Sequence, residues 1–299
     1  MRRSFVVLSS LLALACSSDP DQAGPGAGGS GGSGAASGGG TGIGGGTNLP
    51  PNPGHGGLVQ ALSGMVPGDT GPVAASAAFA YFWDAPGAAA GECVLDTQGA
   101  CTVTICAGGT PAQPTTISAG AITVTGNKSL TLLPDAMNEY EMVVESGLLW
   151  DPGQNVTVSV AGATVPAFTH AQLASSAVTI TSPAAPPADT PLMVDRGQDL
   201  EVAWTGGSTG AVTMMWKVDA SQPDDSFVSI LCRFAAADGA GTVPTAALQA
   251  LPASGTGDLL LLGGEIDALE VGDYTVQVML NSLPTWGTES GTAQFEATN

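Results

Sequence analysis

Short segments that alternate apolar with small polar residues limit this chain more than any other feature does. Cys101-Thr-Val-Thr-Ile-Cys106, Ala121-Ile-Thr-Val-Thr125, Asn155-Val-Thr-Val-Ser-Val160, Ala177-Val-Thr-Ile-Thr181 and Tyr274-Thr-Val-Gln-Val278 all have this form. Alternation with a period of two sends one row of side chains into a core and the other toward water, which is the geometry of a half-buried strand. The joins carry turn chemistry, as in Gly126-Asn127-Lys128 before Ser129-Leu-Thr-Leu-Leu133 and Asp151-Pro-Gly-Gln154 before Asn155. Only Pro244-Thr-Ala-Ala-Leu-Gln-Ala-Leu251 reads as helix, two turns with proline near the start. The predicted class is all-β, built from antiparallel sandwiches.

Leu58 to Asn299 is 242 residues, enough for one large domain or two ordinary ones. The proline-dense stretch 183–191 reads as a spacer between a first sandwich at 58–182 and a second at 192–299. In the second unit, Asp199-Leu-Glu-Val-Ala-Trp-Thr205, a Gly-rich turn and Ala211-Val-Thr-Met-Met-Trp-Lys-Val218 suggest a hairpin with a tryptophan on each strand. The unit looks like an immunoglobulin-like sandwich, with Trp204 and Trp216 as core anchors.

The N-terminus reads as an export signal over residues 1–15. Arg2 and Arg3 are its positive end, Phe5 to Leu14 its apolar run, and Ala13-Leu14-Ala15 its small-residue cleavage site. That run is too short to span hydrocarbon, and polar residues or prolines interrupt every later apolar run, so no transmembrane helix is expected. Residues 16–57 follow as a tether, nearly all Gly, Ser, Ala, Thr and Pro from residue 22 onward. A flexible coil of that length reaches roughly 35 Å.

Leu12-Ala13-Leu14-Ala15-Cys16 resembles the lipobox of bacterial lipoproteins. In that family the cysteine is lipidated and becomes the first mature residue, which implies lipidation at Cys16 and a membrane anchor. Ser17 stands where an inner-membrane retention signal has Asp, so the outer membrane is expected. Residues 117–280 also resemble large families of uncharacterised bacterial lipoproteins. The stretches that carry the likeness are Pro166-Ala-Phe168, Asp195 to Trp204, Cys232-Arg-Phe234, Gly241-Thr-Val-Pro244 and Leu248. The resemblance implies paired Ig-like sandwiches and no assigned activity.

Lipidating Cys16 would leave four cysteines in an exported chain, an even number suited to disulfides. Cys101 and Cys106 share an apparent strand, about 16 Å apart at 3.3 Å per step, too far to bridge. If Gly99-Ala100 is a two-residue turn with Gly first, Gln98 faces Cys101 and Cys93 faces Cys106. Cys93–Cys106 is then the favoured staple, with Cys101 and Cys232 paired or simply buried. Cys93–Cys101 stays open as an alternative. Spacings of eight and five residues among these cysteines are unlike a zinc site, and no metal is expected.

Without the signal, four fixed cations face 26 carboxylates, a net charge of −22. Phosphate backbones would be repelled, so nucleic acid is excluded as a partner. Gly206-Gly-Ser-Thr-Gly210 matches a nucleophile elbow as a string, but a strand rather than a helix is expected after it, which makes Ser208 a turn residue. Of the histidines, His55 falls in the tether and His170 at the edge of the first unit. The acidic clusters Glu139/Glu141, Asp195/Asp199 and Asp219/Asp224/Asp225 read as solvated loops, and the last lacks the spacing of a calcium loop. No phosphate loop or G-x-G-x-x-G in strand context is present, so no cofactor is expected.

Trp83, Trp150 and Trp286 are the candidate ligand-binding aromatics, the last two beside expected loops. The expected function is a non-enzymatic, lipid-anchored envelope protein that serves as an interaction or display module. The alternatives are a carbohydrate-binding lipoprotein that uses those tryptophans and, more remotely, a hydrolase. The expected partners are the membrane, through the anchor, and a protein or a glycan.

Overall fold

The computed structural model describes residues 55–66, 71–84, 93–106, 115–187, 190–218, 227–287 and 291–298. Cys16, the signal, nearly all of the tether and the Asp219/Asp224/Asp225 cluster lie outside them. Strand is the dominant element of the described residues, and helix is nearly absent. In chain order the first are β1 (His55–Val66), β2 (Val73–Asp84), β3 (Cys93–Gln98), β4 (Cys101–Cys106) and β5 (Thr115–Thr116). Next come β6 (Ile122–Thr125), β7 (Ser129–Leu132), β8 (Val143–Ser146), β9 (Asn155–Val160), β10 (Phe168–Leu173) and β11 (Val178–Ser182). Then follow β12 (Leu192–Asp195), β13 (Leu200–Gly206), β14 (Ala211–Val218), β15 (Phe227–Ala235) and β16 (Ala240–Val243). The last are β17 (Thr256–Val271), β18 (Tyr274–Leu283) and β19 (Thr292–Thr298). The all-β expectation holds.

The strands form one twelve-stranded sheet and two small ones. The large sheet runs β3-β4-β15-β14-β17-β18-β1-β2-β5, with β19 also on β17, β12 on β19 and β8 on β2. The small sheets are β10-β9-β6-β7 and β11-β13-β16. Two cores lie between large and small sheets. One joins Ile122, Val124, Leu130, Val156 and Val158 to Val59, Ala80, Phe82, Val276 and Val278. The other joins Ile180, Val202, Trp204 and Val243 to Val212, Met214, Trp216, Ile230, Leu259 and Leu261.

Both small sheets cover the same face of the large one. Odd-numbered residues of β17 point one way; Leu259 and Leu261 enter the second core, while Leu269 and Val271 pack in the first. The opposite face is apolar too: Leu58, Phe79, Tyr81 and Trp83 form one buried cluster, and Leu62, Ala77, Met215, Leu260 and Leu262 another.

Four expectations need correction. Residues 183–191 do not separate two self-contained sandwiches, because β1 pairs in parallel with β18 and β4 pairs with β15 across that point. The cores divide near there but the large sheet does not, since β17 is long enough to serve both. Second, the strands bearing Trp204 and Trp216 are not a hairpin. β13 pairs with β11 and β16, and β14 with β15 and β17, so the chain crosses between sheets at Gly206–Gly210. Gly206, Gly207 and Gly210 all have positive φ there, which lets so short a connection turn. Both indoles still meet in the second core, as expected of anchors. The helix is also shorter than two turns: α1 spans Thr245–Leu248, with Pro244 as its N-cap.

The fourth correction concerns the tether boundary. Residues 55–57 are the start of β1, paired with β2 from His55↔Asp84 onward. Gly56 and Gly57 face Trp83 and Phe82, and a Cβ on either glycine would overlap the opposing ring. The glycines are there because the aromatic rings lie across them, the arrangement by which a large side chain covers a strand glycine. Gly57→Ala should therefore destabilise the fold by about 1–3 kcal/mol, as overpacking does, measured as a lower urea midpoint at unchanged slope. An unchanged midpoint would show that the ring moves aside freely.

Candidate functional site

The end of the large sheet at β3, β4 and β15 is covalently closed. Cys93 is bonded to Cys106 and Cys101 to Cys232. The register expected from the turn is the one observed, with Gln98↔Cys101 and Cys93↔Cys106. Gly99 has φ 62° and Ala100 does not share it, so the turn takes its positive φ at the first central residue. In such a hairpin Gln98 and Cys101 exchange hydrogen bonds, and counting outward makes Cys93 and Cys106 a non-hydrogen-bonded pair. Cys101 then turns its backbone toward β3, so its pairing with Cys232 on β15 is non-hydrogen-bonded as well. Side chains approach more closely at such pairs, which suits both bridges.

The candidate aromatics are not an exposed platform. Trp150 is buried in the first core and Trp286 in the second, where its Nε1–H donates to the Pro183 carbonyl at 2.8 Å. Trp83 is buried on the opposite face of the large sheet, stacked on Tyr81 with ring centroids 5.7 Å apart. Sugar stacking needs an open ring face, and these rings are packed. The loops they flank were legible in the sequence, but the direction of each ring depended on which sheet lay over it.

Other candidates resolve into local structure. Asp195 accepts from the Gly197 amide, while Asp199 accepts from the amide and hydroxyl of Thr245 and so holds the first turn of α1. Those bonds keep the Asp199 carboxyl below its ordinary range. Near Glu139/Glu141, the Glu139 amide donates to Asp135 within one tight loop. The Ser208 amide donates to Ser176 Oγ, and β14 rather than a helix follows it, so an elbow geometry is absent.

One titratable cluster does form, and sequence reasoning missed its partners. His170 Nε2 on β10 lies 2.8 Å from Asp267 Oδ2 on β17. Glu265 sits two residues from Asp267 on the same row. Its carboxyl is raised above the ordinary range, first by burial and then by Asp267, with the Arg233 guanidinium opposing. Burial in turn lowers Arg233. On β10, Gln172 is 6% exposed, and its amide has no hydrogen-bond partner among the described residues. This polar group lies between the two cores, where the inward row of β17 changes from leucine to carboxylate and back. A signal was present: in Phe168-Thr-His-Ala-Gln-Leu173 the polar His170 and Gln172 alternate inward while Leu173 faces out, 47% exposed. The second histidine, His55, pairs with Asp84 at 2.9 Å where β1 begins.

No family model matches the chain, and no curated protein matches it.

Two measurements test these assignments. Cys101–Cys232 spans 131 residues and Cys93–Cys106 spans 13. In the chain-entropy account, removing them costs about 5 and about 3 kcal/mol respectively. The Cys101→Ser/Cys232→Ser pair should thus lower Tm more than Cys93→Ser/Cys106→Ser, and the reverse order would mean that native contacts rather than loop closure dominate. For Glu265, a folded pKa above the unfolded one means the native state holds the extra proton. Stability then rises as pH falls from the folded value toward the ordinary carboxylate value, and that gain is missing above the folded value. Glu265→Gln should raise Tm by about 1–2 °C above neutral pH and flatten the wild-type gain on mild acidification. Calorimetry showing a lower Tm for the variant at every pH would overturn the assignment.

Proposed function

We propose that this chain is a lipid-anchored envelope protein whose paired sandwiches act as a non-enzymatic interaction or display module. The observation that carries the reading is the cysteine pairing. Cys93, Cys101, Cys106 and Cys232 are used in two bridges, which leaves Cys16, behind the apolar run, as the one cysteine with another use. Bridges of this kind persist in oxidising compartments outside the cytosol. A lipid on Cys16 followed by a Gly-rich tether would hold the folded head clear of a membrane surface. Ser17 favours the outer membrane.

We also infer that the second sandwich is Ig-like. Its sheets, β11-β13-β16 against β19-β17-β14, correspond to strands A-B-E against G-F-C, with β18 inserted in the chain between β17 and β19. Trp216 then holds the buried tryptophan position of strand C.

Intact mass spectrometry of protein extracted from membranes tests the anchor. The expected species begins at Cys16, carries acyl mass, and shows four thiols only after reduction. Cys16→Ala should move the chain to the soluble fraction. An unacylated wild-type chain in the soluble fraction would overturn the reading.

A further inference from the structure

We propose that β3 is a docking edge that takes an extended, Lys- or Arg-bearing segment of a partner protein by strand addition. The proposal rests on the reading of the molecule as an interaction module. β3 ends the path of the large sheet, and among the described residues it pairs only with β4. Its side chains are open on both faces: Val94 is 65% exposed on one and Leu95 43% on the other, and Asp96 and Thr97 are exposed beside them. Edges in exported proteins are commonly blunted by Lys, Pro, a bulge or shortness. β3 has neither Lys nor Pro, and its six residues pair with β4 in unbroken register.

The backbone is already set to receive a strand. Because Cys93, Leu95 and Thr97 are the non-hydrogen-bonded positions against β4, their N–H and C=O groups point away from the sheet. Cys93–Cys106 ties β3 to β4, and Cys101–Cys232 ties β4 to β15, so the edge cannot peel away to avoid pairing. An edge fixed in advance lowers the ordering cost of binding.

Charge selects the occupant. The hairpin from Cys93 to Cys106 contains Asp96 and no Lys or Arg, in a chain of 26 acidic and 6 basic residues. A second copy would bring the same negative charge to the edge. A partner strand with a Lys or Arg beside Asp96 and apolar residues over Val94 and Leu95 complements it.

The test uses the full chain and a capped, dye-labelled peptide, Thr-Val-Lys-Val-Thr-Val-Lys-Thr, with a counterpart carrying Glu in place of Lys. Fluorescence anisotropy should show binding of the Lys peptide and none of the Glu peptide. Leu95→Pro removes one outward N–H and leaves the β3–β4 ladder intact, so it should weaken binding about tenfold. Asp96→Lys, which leaves the backbone unchanged, should reverse the choice between peptides. Hydrogen exchange at Leu95 and Thr97 should slow with the Lys peptide bound. Equal binding of both peptides, wild-type affinity in Leu95→Pro, or no binding of the Lys peptide would overturn the proposal. So would a dimer in sedimentation that Leu95→Pro dissolves, because a second copy would then own the edge. Acylated Cys16 without peptide binding would remove the docking edge and leave the envelope reading standing.

Discussion

Along β17 the inward row runs from Leu259 and Leu261, through Glu265 and Asp267, to Leu269 and Val271, and each part of that row meets a different neighbour. The leucines at one end close the second core under β11-β13-β16. Leu269 and Val271 at the other end close the first under β10-β9-β6-β7. The carboxylates between them fall at the edge of the first small sheet, where His170 from its edge strand β10 meets Asp267. A single strand thus holds two cores at a fixed spacing, with a polar seam between them. Because a strand keeps its side-chain period along its whole length, neither core can shift without dragging the other.

Sharing one sheet has a second consequence. The strands that join first- and second-unit sequence are remote in the chain: β1 lies on β18, and β4 on β15. Pairings of that kind carry a large loop-closure cost. The Cys101–Cys232 bridge acts on one of those junctions, tying β4 to a strand 131 residues away. The Cys93–Cys106 bridge acts locally and fixes the edge that β3 presents. The two bridges lie on neighbouring strands yet constrain different things, one the topology and the other the edge.

The polar seam and the stapled edge are also where the molecule departs from simple sandwich rules. Gln172 and Glu265 are polar side chains in inward rows, and Val94 and Leu95 are apolar side chains left outward. Departures of this sort mark either function or stored cost. At the seam the cost is electrostatic, because burial and Asp267 both hold the Glu265 carboxyl away from its ordinary value. At the edge the exposed apolar pair goes with outward backbone groups and a local negative charge, which together define what could bind there.

Strand class, turn chemistry and the Cys93–Cys106 register could be read from the sequence because they depend on neighbours a few residues apart. Alternation in Cys101–Cys106 and a glycine at position 99 were sufficient for the register. Trp204 and Trp216 were legible as anchors, since large apolar residues in alternating strands face inward whatever sheet they join. The strands' partners were not legible. Asp199–Val218 looked like a hairpin because its strands are adjacent in sequence, and only the placement of β16 and β17 drew them into opposite sheets. Gly56 and Gly57 looked like tether because their strand role comes from the rings of Phe82 and Trp83, which cross them from the next strand. The inward or outward direction of Trp150 and Trp286, the meeting of His170 with Asp267, and the continuity of one sheet past residues 183–191 have the same origin. Each depends on a long-range pairing, and period-two alternation says that a strand has two faces without saying which strand will lie beside it.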